Sequence, residues 1–156
     1  METCFIKSPI GIAKIVGDES GIAQISVLDE GFGSIEIPKV LQESVTQLQE
    51  YFDGKRTDFT FKIHPKGTDF QKRVWQELLN IPFGKTISYF DLAKKLGDAK
   101  VIRAAASANG KNPLWIVVPC HRVIGTDGSL TGYAGGLWRK KWLLEHESPS
   151  HQQSLF

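Results

Sequence analysis

SYFDLAKKLGDAKVIRAAASAN, running from Ser88 to Asn109, is the stretch on which the architecture turns. Ser88 is a helix-capping residue type, and Phe90, Leu92, Ala93 and Leu96 follow at the spacing of one inward helix face. Gly97 supplies a C-terminal stop. After only Gly97-Asp98 a second helix is predicted over roughly Ala99 to Asn109, and two helices joined this tightly read as a helix-turn-helix. The second helix is built of Ala104, Ala105, Ala106, Ser107 and Ala108, with Arg103 as a long cation beside them. It is poor in the side chains that read base edges in a major groove, which disfavours a sequence-specific regulator. Its small face allows close approach to a backbone and favours minor-groove docking with little sequence reading.

The helical pattern extends to either side. Upstream, Thr68 or Asp69 can cap a helix carrying Phe70, Val74, Trp75, Leu78 and Leu79 on one face, stopped at Pro82-Phe83-Gly84. Downstream, Ile116 to Val118 is an apolar run expected to be a buried strand ending at Pro119-Cys120. A glycine-rich loop from Gly125 to Gly136 then precedes a last helix from Leu137 to about His146. The N-terminal part reads differently. Cys4 to Leu28 holds short β-prone runs broken at Pro9-Ile10-Gly11 and at Asp18 to Gly21, as in hairpins. Pro38 opens a helical pattern in which Val40, Leu41, Val45, Leu48, Tyr51 and Phe52 fall near i, i+3/i+4 spacing, and residues 58–63 alternate as a further strand.

Charge places a boundary near His64 to Gly67. Residues 1–65 hold 6 Lys/Arg against 10 Asp/Glu, a net of −4, whereas residues 66–156 hold 13 against 7, a net of +6. The basic part is the one expected to meet a polyanion. The expected fold class is α+β. A small N-terminal α/β subdomain with antiparallel strands covers 1–66, a mainly helical domain with the helix-turn-helix covers 67–148, and a flexible tail covers 149–156.

No apolar run approaches the length of a membrane span, and Met1-Glu2-Thr3-Cys4 lacks the start of a signal peptide. Two cysteines make no disulfide framework, so free thiols and a cytoplasmic, nucleoid-associated location are expected. Cysteine and histidine spacing fits no metal site, and no cofactor is expected. The signatures of cysteine proteases are missing, and the glycine-rich loop lacks a phosphate-binding pattern. Cys120, followed by His121 and Arg122, is the candidate nucleophile, because a base or a positive field activates a thiol. On these neighbours alone a buried structural cysteine is the competing reading.

The run Pro119 to Gly125, the loop Gly132 to Gly136 and the segment Trp142 to Glu147 together closely resemble the O6-alkylguanine-DNA alkyltransferases. The likeness extends upstream through Phe70 to Trp75, Ile81 to Gly84, Ser88-Tyr89, Arg103 and Gly110 to Pro113, covering roughly residues 68–147. It implies that Cys120 is the alkyl acceptor, His121 the base that draws its proton through a bridging water, and Glu147 the carboxylate that orients His121. Asn112 resembles the hinge that ties the helix-turn-helix to the cysteine loop. Tyr89 resembles the hydroxyl that crowds the target phosphate and hydrogen-bonds guanine N3. The backbone of Cys120 and Val123 is expected to accept from the guanine amino group. Tyr133, Ala134 and Gly135 should line the pocket, and Trp115 bears on its size. Arg103 resembles the finger that fills the gap left by the flipped base, with Ala104 on the docking face and Gln71 and Thr126 on the DNA backbone.

The activity implied is single-turnover DNA repair, in which the alkyl group of O6-alkylguanine, with O4-alkylthymine as a second substrate, passes irreversibly to Cys120. The implied partner is double-stranded DNA containing alkylated guanine, bound through the minor groove by a monomer without a membrane. The alternative is a non-catalytic protein that binds alkylated lesions, against which the presence of Cys120 argues.

Overall fold

The structure is a computed structural model and describes residues 1–130 and 132–148. The tail expected over 149–156 lies outside the described residues. The chain divides into two compact units. The first joins Met1–Lys66 to Pro113–Val117, and the second joins Gly67–Asn112 to the chain from Val118 onward. The C-terminal part is therefore not continuous in sequence, because five residues of it belong to the first unit.

In the first unit three antiparallel strands, β1 (Glu2–Ser8), β2 (Gly11–Asp18) and β3 (Gly21–Leu28), pair in sequence order. Ser8 pairs with Gly11 and Asp18 with Gly21, so both connections are two-residue hairpins. Gly21 has φ +132°, and a Cβ there would sit 3.0 Å from the Lys62 carbonyl, so the position requires glycine twice over. A short 3-10 turn, Lys39–Leu41, leads into helix α1 (Gln42–Phe52). Leu41, Val45, Leu48 and Tyr51 are buried, as are Cys4, Ile6, Ile15 and Ile25 of the sheet. This is hydrocarbon packing at helix spacing against alternate strand positions.

Two expected strands do not form. Over residues 58–63 only Ile63 bridges Ile22, through Ile22 N–H to Lys62 O at 2.9 Å and His64 N–H to Ile22 O at 2.8 Å. The backbone N–H of Thr60 donates instead to the Gln47 side chain at 2.9 Å, so a helix residue ends the ladder. The alternation is real, since Phe61 is buried and its ring meets Phe59 edge-on, but it reports side-chain burial without strand pairing.

The apolar run at 116–118 is buried but turns. Ile116 has φ +76°, and Val117 N–H donates to Trp115 O at 2.9 Å, which closes a γ-turn of the rare positive-φ kind. A β-branched residue there is strained. Pro119 follows with φ −82° and ψ 64°, and Cys120 N–H donates to Val118 O at 2.8 Å, an inverse γ-turn. The chain thus reaches Cys120 through two tight turns.

The second unit is helical. Thr68 caps α2 (Asp69–Leu78) with a capping box: Gln71 N–H donates to its hydroxyl and its own N–H donates to the Gln71 side chain. Ser88 and Asp91 cap α3 (Tyr89–Lys95) in the same way. Leu92, Ala93 and Leu96 are buried as expected, but Phe90 is exposed and lies under the Lys94 ammonium at 5.3 Å. Gly97, at φ +103°, ends α3, and a 3-10 turn, Ala99–Val101, leads into α4 (Ile102–Gly110). The Trp75 indole N–H donates to Ala108 O at 2.9 Å and ties α2 to α4. Short strands β4 (Ile87–Ser88) and β5 (Val123–Ile124) pair in parallel, and α5 (Leu137–Glu147) closes the described chain. Among the described residues no helix is long and apolar enough to cross a membrane.

Candidate active site

Cys120, His121 and Arg122 form one 3-10 turn that leads into β5. All three are buried. A buried turn carrying an imidazole and a guanidinium needs a counter-charge, and α5 provides it from its last turn. The Glu147 carboxylate accepts from His121 Nε2 at 2.8 Å through one oxygen and from Arg122 Nε at 2.8 Å through the other. Arg122 Nη2 adds a third contact at 3.1 Å, and Nη1 donates to Ile81 O at 2.7 Å. The two-point fork is the geometry in which a guanidinium holds a carboxylate most strongly.

This network fixes the protonation pattern. Burial opposes the Glu147 charge, but His121 and the Arg122 fork outweigh it and hold the carboxyl well below the usual carboxylate range. Burial, helped by the nearby Arg122 and Lys140 cations, pushes His121 below its ordinary value despite the pull of Glu147. The imidazole is therefore neutral and the carboxylate anionic. A carboxylate can only accept, so the ring hydrogen sits on Nε2 and Nδ1 carries the lone pair. That Nδ1 is buried and has no hydrogen-bond partner among the described residues. The contact with Glu147 fixes that lone pair in orientation and tautomer.

Burial pushes the Cys120 thiol up to about 11, against the opposing effects of an Asn112 hydrogen bond, the Lys140 charge and its own backbone N–H. The resting thiol is protonated, and ionising it at pH 7 costs roughly 5 kcal/mol. Asn112 also donates to Val118 O at 2.7 Å, so it spans the inverse γ-turn from the end of α4.

Lys140, Arg122 and Asn109 carry roles that the sequence reading did not assign. The Lys140 ammonium is wholly buried, donates to Val123 O at 2.7 Å and lies 5.8 Å from the Tyr89 ring. Adjacent Lys141 is exposed, and so RKKW reads as a solvated basic run. The signal was the seven-residue spacing from Lys140 to Glu147, two helical turns on one face. Asn109, also buried, donates through Nδ2 to Cys120 O at 3.4 Å.

The remaining candidates fall in three places. Tyr89 opens α3 beside β4, and Tyr133, Ala134 and Gly135 lead into the Gly136 cap of α5, where Gly135 O accepts from Arg139 at 3.0 Å. Burial, against the opposing Arg139 charge, pushes the Tyr133 phenol well above its ordinary value. Arg103, Ala104 and Ser107 share the exposed face of α4, and Thr126 is exposed in the turn from Gly125 to Gly128. Gln71 is occupied by its capping box. Trp115 belongs to the first unit, where its N–H donates to Ile25 O at 3.0 Å.

Residues 69–149 match the model of the 6-O-methylguanine DNA methyltransferase DNA-binding domain, and residues 2–65 match its ribonuclease-like domain. A methylated-DNA–protein-cysteine methyltransferase of Methanosarcina barkeri is 46% identical over 91% of this chain and 94% of its own length. The crystal structure of Mycobacterium tuberculosis OGT in complex with DNA is 41% identical, with a TM-score of 0.84 over 97% of this chain and 98% of that one. An O6-methylguanine DNA methyltransferase of Methanococcus jannaschii is 27% identical, with a TM-score of 0.68 over 93% of each chain. With both halves of the chain matched, a buried thiol beside a histidine–carboxylate pair and a helix-turn-helix presenting a small-residue face, this protein belongs to the 6-O-methylguanine DNA methyltransferase family.

Proposed function

We propose that this chain repairs DNA by moving the alkyl group of O6-alkylguanine onto Cys120 in a single irreversible turnover. The observation that carries the reading is the neutral His121, its Nε2–H fixed on Glu147 and its Nδ1 lone pair free, next in sequence to a buried thiol. The alkyl carbon lies inside the duplex, so the nucleotide has to rotate out, at a cost of a few kcal/mol of unstacking. Minor-groove docking by the Arg103, Ala104 and Ser107 face, with Arg103 entering the vacated stack, offsets that cost. Gln71 and Thr126 add backbone contacts, and the chain acts as a monomer.

The thiol proton passes to His121 Nδ1 through a bridging water, and Glu147 stabilises the imidazolium that results. The thiolate attacks the alkyl carbon in line. The new S–C bond forms as the C–O6 bond breaks, and that electron pair leaves with guanine. Tyr89, hydrogen-bonded at guanine N3, eases its departure, and guanine regains the one proton the thiol lost. No co-reactant is needed. The thioether has no exit, so each molecule acts once. Tyr133, Ala134 and Gly135 wall the pocket.

Intact-mass measurement after mixing with one O6-methylguanine duplex tests this. The expected result is a gain of one methyl per chain, mapped to Cys120, and none with Cys120→Ala. Methyl uptake by that variant would refute the assignment.

A further inference from the structure

The loop that leads into α5 has glycine where stiffness would be lost. Gly132 has φ +48° and Gly136 φ +91°, conformations glycine takes freely. Gly136 N–H donates back to Tyr133 O at 2.9 Å and closes a turn over Ala134. A second hold comes from the helix itself, because Gly135 O accepts from Arg139 Nη1 at 3.0 Å. Helix side chains lean toward the N-terminus, so the third residue of α5 lies over the loop that enters it. The Arg139 side chain is buried, and its guanidinium carbon lies 4.6 Å from the centre of the Trp138 ring, whose residue is 55% exposed.

This placement is costly. A cation in the first turn of a helix opposes the macrodipole, and burial strips its hydration. The first turn of α5 has no acidic residue to offset either effect. Arg139 and Lys140 also act on different groups: the Lys140 charge bears on the Cys120 thiol, the Arg139 charge on the Tyr133 phenol. One cation serves the nucleophile and the other serves the loop.

We propose that Arg139 is a positioning residue for alkyl transfer, which fixes the Tyr133–Gly135 wall by holding Gly135 O with the Trp138 ring behind it. The assignment rests on alkyl transfer to Cys120 and on that loop as the pocket wall, as set out above. In-line attack needs the sulfur, the alkyl carbon and O6 on one line, and a misplacement of about 1 Å costs up to about a hundredfold in rate. Arg139 touches no reacting atom and acts through the loop.

The test uses the full chain and a duplex with one O6-methylguanine. Single-turnover methyl transfer, followed over a range of protein concentrations, separates the rate in the saturated complex from the half-saturating concentration. The end-point gives the fraction of competent protein. In Arg139→Met the saturated rate falls about tenfold, while half-saturation moves by less than about twofold. Arg139→Lys keeps a charged donor and recovers about threefold of that loss. Trp138→Leu, an exposed change that leaves the fold intact, slows the saturated rate about threefold. A residue that only stabilised the fold would lower the end-point and leave the rate constant alone. A wild-type saturated rate in Arg139→Met, a loss carried by half-saturation, or a lysine variant as slow as the methionine one overturns the assignment and leaves alkyl transfer intact. If Arg139→Met takes up no methyl, Arg139→Lys and Trp138→Leu decide by the same rate, and wild-type values in both overturn it. A wild type that takes up no methyl overturns the reading on which the assignment rests.

Discussion

The two units bury different things. In the first, the buried polar side chains among the described residues are Ser44 and Gln47, and the rest of its interior is hydrocarbon apart from the Cys4 thiol and the Tyr51 phenol. The second buries His121, Arg122, Arg139, Lys140 and Glu147 together with Asn109 and Asn112. A hydrocarbon interior stabilises in proportion to area and needs no partners. Buried charges cost several kcal/mol each in lost hydration and hold only while every partner is in place. The first unit is arranged for folding. The second gives up stability to keep a thiol, a neutral imidazole, a carboxylate and three cations buried, where electrostatics is strong.

The largest break in this contrast comes from Glu147→Gln. It keeps the shape but strips Arg122 of its anion, with an expected loss of about 3 kcal/mol or more in urea unfolding. In the first unit the half-exposed pair of Arg56 and Glu50, at 3.1 Å, provides the control. Glu50→Gln should cost under about 1 kcal/mol. Equal losses at the two positions would end the distinction. The Glu147 variant also lets His121 choose the wrong tautomer, so methyl transfer falls far more than stability does.

Lys140→Met comes next. It keeps most of the hydrocarbon and removes the cation whose charge pulls the Cys120 thiol down. Transfer is expected to slow roughly tenfold at pH 7, the equivalent of one pKa unit on the thiol. Stability should change less than with Glu147→Gln, because no opposite charge is stranded. A pH–rate profile displaced to higher pH in the variant relative to the wild type is the signature. An unchanged rate would remove Lys140 from thiol activation.

The two thiols sharpen the contrast by pH. Burial pushes both Cys4 and Cys120 from 9.0 up to about 11, but only Cys120 has groups that oppose the shift. Above pH 9 the unfolded thiols ionise while the folded ones stay protonated. Stability present below pH 9 is therefore lost as pH rises toward 11. On the acid side His121 is held below 6.5 in the folded state. The unfolded chain binds that proton first, so stability falls as pH drops below 6.5, and His121→Gln should flatten this limb. Under native conditions iodoacetamide should modify Cys120 before Cys4; the reverse order would show that Asn112 and Lys140 do not activate the thiol.

What the sequence revealed divides along the same line. Helix caps at Thr68 and Ser88, the two hairpins and the helix-turn-helix were legible because each is a local signal. The His121–Glu147 pair was legible only through likeness to a family, since 26 residues separate its members. Lys140 and Asn109 were hidden, because nothing in a lysine or an asparagine says which way it faces until helix packing decides. The failures at 58–63 and 116–118 have one cause. Apolar alternation and apolar runs report burial, and the backbone partner that would make burial a strand was taken by Gln47 in one case and by γ-turns in the other.

That cause supplies the smallest prediction. Gln47 is 4% exposed, and its amide both accepts from Thr60 N–H at 2.9 Å and donates to the Thr60 hydroxyl at 2.7 Å. Gln47→Leu removes both bonds, and a third from its amide to the Glu43 carboxylate at 3.2 Å, while adding hydrocarbon to a largely hydrocarbon interior. Thr60 is exposed, so water can take over its N–H, and the net loss should be about 1 kcal/mol. Hydrogen exchange should quicken at Thr60 and leave Ile22 and His64, which bond to each other's backbone segment, protected. Methyl transfer to Cys120 should be unaffected, because the first unit's lone buried amide fixes a loop and the second unit's buried polar groups fix a reaction. A transfer rate that fell with Gln47→Leu would mean that the hydrocarbon unit sets the geometry of the charged one, and the division of labour between them would have to be abandoned.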